Sequence, residues 1–102
     1  DTTAPAGYTV AFDQAAVNSL NQTLISFTFA AAEAGTSYNY SIDDTNGGTP
    51  PVTGSGTIVT PTDQISGIDV SSLDDGTLTL TAYLTDASLF IYRFTNYIEN
   101  SP

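Results

Sequence analysis

The 102-residue sequence predicts an all-β fold, a sandwich of two antiparallel sheets. Three observations carry that reading. Short stretches alternate apolar and polar residues with the period of a strand. Seven of them recur at roughly 10-residue spacing, with turn chemistry between them. Only residues 31–35 tempt a helix, and they are too few to hold one before Gly35 ends it.

Residues 1–7 read as a linker, in which Pro5 enforces an extended backbone and removes one donor. Residues 8–13 then alternate, with Tyr8, Val10 and Phe12 inward. Residues 14–21 form a loop, because Asn18, Ser19 and Asn21 favour turns. The second strand spans 23–30, with Ile25, Phe27 and Phe29 inward and Leu24, Ser26 and Thr28 outward. After a compact connection over 31–35, the third strand spans 37–43 and turns Tyr38, Tyr40 and Ile42 inward.

Residues 44–51 are dense in turn residues, and Asn46-Gly47 supplies the positive φ angles of a tight reversal. The fourth strand, 52–60, is weakened by Gly54 and Gly56, which implies an edge position or a bulge. In the fifth, 65–70, the apolar spacing slips between Ile65 and Ile68, and Ser66-Gly67 suits a bulge there. Residues 73–86 are the most regular. An acidic turn, Asp74-Asp75-Gly76, leads into Leu78, Leu80, Ala82 and Leu84 on one face, with Thr77, Thr79, Thr81, Tyr83 and Thr85 on the other. The last strand, 89–98, differs in kind. Leu89 and Ile91 lie on one parity and Phe90, Tyr92 and Phe94 on the other, so both faces are apolar.

The length supports one domain, 1–102, with a real core. Without cysteine there is no disulfide, thiolate metal site or cysteine nucleophile, and without histidine the commonest acid/base group is missing. Eleven acidic residues against the single basic Arg93 give a net charge of −10. Phosphate recognition needs Lys and Arg, so nucleic acid and anionic membrane surfaces are poor partners. No apolar run approaches the ~20 residues of a membrane-spanning helix, so no membrane insertion is expected. The start at Asp1-Thr2-Thr3-Ala4-Pro5 carries no signal peptide and reads as the boundary of an excised or processed domain. Abundant Thr, Ser and Asn without Lys suit an extracellular bacterial setting. No repeat exists within the chain; if there is one, the chain is a single unit of it.

Several segments carry a resemblance: Asp1-Thr2-Thr3-Ala4-Pro5, Gly35-Thr36-Ser37-Tyr38, Gly54-Ser55-Gly56-Thr57, and residues 68–80 with the order Ile-Asp-Val-Ser-Ser-Leu-Asp-Asp-Gly-Thr-Leu-Thr-Leu. In this order and spacing the chain, from 1 to about 86, resembles the bacterial Ig-like repeats of large surface adhesins of the RTX and biofilm-associated types. The resemblance implies an extracellular Ig-like extender module at the bacterial cell surface, repeated head to tail, whose partners are neighbouring modules of the same chain. It also implies calcium (Ca2+) near the junctions. The chain departs from the family pattern after Asp86, where an Ala-Gly-Asn turn and a Thr-rich strand give way to Ala87-Ser88-Leu89 and the aromatic segment.

Calcium takes about 6–8 hard oxygens, which carboxylates and loop carbonyls supply. The candidate ligands are Asp1, Asp69, Asp74, Asp75 and Asp86. An Ig topology puts Asp1, Glu33, Asp63 and Asp86 near the N-terminal pole, and Asp13, Asp43, Asp44, Asp69, Asp74 and Asp75 near the other. The alternative is that these residues cap turns and keep the surface soluble. Phe90, Tyr92 and Phe94 are candidate ligand-binding residues for a glycan or a host or surface protein. The other readings of that segment are core packing and a self-association edge.

Enzyme chemistry lacks its parts. A serine triad has no His, a Ser-Lys pair has no Lys, and adjacent carboxylates on a tight turn do not flank a cleft. Two functions remain: a calcium-stiffened extender in a tandem array, and a terminal binding module that uses its loops or its aromatic last strand.

Overall fold

The computed structural model describes residues 7–45, 49–86 and 91–100, and of Tyr92 only the backbone. Among them seven strands form two antiparallel sheets. The smaller has the order β1 (Thr9–Phe12), β2 (Ile25–Ala30), β5 (Gln64–Ile68); the larger has the order β4 (Val52–Thr57), β3 (Ser37–Asp43), β6 (Gly76–Thr85), β7 (Ile91–Asn100). The fourth strand thus pairs with β3, whereas in the constant-type Ig arrangement it joins the first-strand sheet.

Alternation decides the interior. Leu78, Leu80, Ala82 and Leu84 of β6 are fully buried, facing Ile25, Phe27 and Phe29 of β2, which are equally buried. Each such side chain contributes about 1.5–3 kcal/mol when fully buried. Strand β6 is internal, paired with β3 from Thr79 to Thr85 and with β7 over its whole length.

Two features close the sides of the sandwich. On one side β1 leans on β7: the Phe12 N–H donates to Asn96 Oδ1 at 3.1 Å, Tyr8 O–H donates to the Ala82 carbonyl at 3.1 Å, and the Tyr8 and Phe94 rings lie 6.1 Å apart. On the other side β4 is an edge strand, as its glycines implied, but they do more than mark the edge. Tyr38 pairs with Gly56 and Tyr40 with Gly54. A Cβ at Gly54 would stand 2.5 Å from the Tyr40 ring, and one at Gly56 would stand 2.6 Å from the Tyr38 hydroxyl. The absent side chains are the space the two rings occupy, an aromatic cover over edge glycines. Both tyrosines then reach the opposite sheet, Tyr40 against Phe27 at 5.1 Å and Tyr38 against Phe29 at 5.7 Å.

The expected bulge in the fifth strand is present. Ile25 pairs with Ile68 and Phe27 with Ile65, so β5 carries one extra residue, and Gly67 takes φ +71° there. The last strand runs on to Asn100, two residues beyond the expected end. The expected start at Leu89 lies outside the described residues, as do the linker positions 1–6 and the turn at Asn46-Gly47. Ser26, expected outward, is only 7 % exposed because Asp13 and Gln14 fold over it.

Candidate functional site at the two poles

The register places the ends of the strands at two poles. The N-terminal pole gathers Gly7, the connection from β2 to β3, the connection from β4 to β5 and the end of β6 at Asp86. Ala32 N–H donates to the Pro61 carbonyl and Gly35 N–H to the Ile58 carbonyl, which ties those connections together. The C-terminal pole gathers the loop 14–24, residues 44–45 and 49–51, the loop 69–75 and the end of β7. The described chain therefore passes from one pole to the other, and the molecule measures 44 × 24 × 18 Å along its principal axes.

At the C-terminal pole the carboxylates organise loops. Asp44, 8 % exposed at the end of β3, accepts the Asp74 N–H through Oδ2 at 2.8 Å. Asn100 donates through Nδ2 to the Asp74 carbonyl at 2.9 Å. Asp69 accepts the Ser71 N–H at 2.9 Å, and hydrogen bonds from the Ser71 hydroxyl and N–H hold its carboxyl below the usual range. The side chains of Asp69, Asp74 and Asp75 are nevertheless exposed. Exposed carboxylates are hard oxygen donors of the kind calcium takes.

At the N-terminal pole Asp63 caps its own turn, accepting the Val59 N–H at 2.7 Å, the Thr60 N–H at 3.2 Å and the Thr60 hydroxyl at 2.8 Å. The Val59 and Thr60 bonds lower its pKa. Asp86 is withdrawn to 5 % exposure. The structure thus brings Asp69, Asp74 and Asp75 to one pole and Asp86 to the other. Asp1 lies outside the described residues. Among the described residues no group of three or more His, Cys, Asp or Glu is placed to hold a metal ion.

Asp13 departs from the expected position. It lies on the outer face of the smaller sheet, where Ser26 Oγ and Thr28 Oγ1 each donate to it at 2.6 Å and Gln64 Nε2 at 2.8 Å. The aromatic segment is only partly described. Phe94 points inward and packs on the core beside Tyr8. Phe90 and the Tyr92 side chain lie outside the described residues. On the outward face of β6 and β7, Tyr83, Ile91 and Tyr97 are exposed, and Arg93 pairs across from Tyr83.

The loop expected over 14–21 is present, but the sequence singled out neither Val17 nor Leu20 within it. Val17 is 1 % exposed and forms a parallel bridge with Asn100. Beyond it Asn18 and Asn21 lock a turn with Leu20 at its tip, 91 % exposed. The signal was the pair of Asn residues three apart, which cap each other's backbone.

The fold belongs to the immunoglobulin-like class of two-sheet sandwiches. Within that class the chain is similar to a solved tandem array, described as the crystal structure of a tetra-tandem repeat in the extending region of a large adhesion protein. The TM-score is 0.68 at 23% identity, and the match covers 93% of this chain and 24% of the other. The chain spans about a quarter of that structure, the share that one repeat of four takes. No protein-family model and no curated protein matches the chain.

Proposed function

We propose that this chain is a non-catalytic extender module of a large adhesin at the bacterial cell surface, one unit of a tandem array whose junctions calcium stiffens. The observation that carries the reading is the passage of the chain from pole to pole along the 44 Å axis. Modules joined in series through such poles add their lengths. The likeness to a repeat of an adhesin's extending region supports the same reading.

The calcium element rests on charge. Glu33, Asp63 and Asp86 stand at the N-terminal pole, and Asp44, Asp69, Asp74 and Asp75 at the other, so a head-to-tail junction sets acid against acid. Like charges about 4 Å apart repel by about 1 kcal/mol even in water. A divalent cation shared across the junction reverses that sign. Its shell would combine Asp69, Asp74 and Asp75 of one module with oxygens at the N-terminal pole of the next.

The test is the melting temperature of two copies in series, measured with millimolar calcium and with chelator. Calcium bound only by the folded junction raises it. An unchanged curve refutes the calcium element and leaves the extender reading standing.

The binding-module reading keeps one favourable observation, the exposed Tyr83, Ile91 and Tyr97 on the outer face of the larger sheet. It loses Phe94 to the core. Titrating the chain with simple sugars and following the resonances of those three residues distinguishes the readings.

A further inference from the structure

We infer that the Leu20 turn is a docking knob for the module that follows in the same chain, and that its seat is the Val59 turn of that module. The inference rests on the extender reading above.

Single exposed apolar residues are ordinary, but Leu20 is set apart by how it is held. Asn18 N–H donates to Asn21 Oδ1 at 2.8 Å, Leu20 N–H to Asn18 Oδ1 at 2.9 Å, and Asn21 Nδ2 to the Ala16 carbonyl at 2.9 Å. The turn is fixed before anything binds, so docking costs little ordering entropy. Leu20 remains 91 % exposed at its tip, and Leu24 beside it is 68 % exposed.

Position identifies the occupant. Val17, three residues before Leu20, is bridged to Asn100, from which the chain leaves the described fold. A module joined there is tethered beside the knob at an effective concentration on the order of millimolar. A second copy of this module joined there presents its N-terminal pole, where in this chain Val59 is 75 % exposed on the turn that Asp63 locks. The charged residues at both poles are acidic, so an apolar contact is the attraction that charge does not oppose. Leu20 and Val59 are the exposed aliphatics of the two turns.

The experiment uses two copies of the chain in series, in chelator, and reads the rotational correlation time by 15N relaxation. Both residues are exposed, so L20S and V59S leave the melting temperature of a single copy unchanged. In the two-copy protein, L20S in the first copy or V59S in the second lowers the correlation time toward that of an isolated module. The two together lower it no further, because they remove one contact. L20S in the second copy and V59S in the first change nothing. Equal effects at both placements, or none at the first, overturn the inference. So does independent tumbling of the unsubstituted protein. Failure of the extender reading looks different: the two-copy particle is not elongated, with or without calcium.

Discussion

Val17 donates its backbone N–H to the carbonyl of Glu99 at 2.8 Å, and so fastens the loop after β1 to the last turn of backbone in β7. The region after the first strand and the end of the last strand are thereby joined inside one fold. Phe12 and Asn96, and Tyr8 and Phe94, continue the same seam toward the N-terminal pole. In the proposed array a tensile load would meet this seam, since it would separate the first strand from the last.

Val17→Ala removes a side chain that is 1 % exposed and loosens the seam at its C-terminal end. The expected loss is about 1–3 kcal/mol in denaturant unfolding. Asn100→Ala, which strips a carbonyl cap from Asp74, is expected to cost about 1 kcal/mol. Wild-type stability in both variants would show that the clasp is idle.

The glycines of β4 make a sharper case. Gly54→Ala puts a methyl where the Tyr40 ring lies, at 2.5 Å, and overpacking of this kind costs about 1–3 kcal/mol. The same substitution in a Tyr40→Leu background is expected to cost less, since the ring it displaces is gone. Additive costs from the two substitutions would contradict the packing described.

Asp13 gives the pH dependence. Burial pushes its carboxyl up, but hydrogen bonds from Ser26, Thr28 and Gln64 together outweigh it and leave the pKa lowered. A carboxylate lowered in the folded state contributes stability above its unfolded value, near 3.9, and loses it as pH falls through the folded value. Asp13→Asn is therefore expected to be less stable than wild type at neutral pH, with the gap closing in acid. A gap that stays constant down to pH about 2 shows that the charge contributes nothing there.

Much of this architecture was legible in residue order because each strand is half buried. The faultless alternation of β6 named its inward face, and Gly67 announced the bulge where the spacing of Ile65 and Ile68 slips. Gly54 and Gly56 told of an edge, yet their role as seats for Tyr40 and Tyr38 depends on register between two strands, which no local pattern carries. The same limit hid Val17: a lone valine in a polar loop has no period, and its burial follows from meeting Asn100, 83 positions away. Among the described residues the acidic turns lie at the expected poles, except that Asp13 is drawn onto the sheet face by Ser26 and Thr28, a choice made by hydroxyls on the neighbouring strand.

The central claim is that such modules extend in series, and small-angle scattering from two copies joined end to end measures it most directly. The expected maximum dimension in calcium is close to twice the 44 Å axis of one module, with a profile of a stiff rod. A particle whose two modules lie side by side, no longer than one, would contradict it.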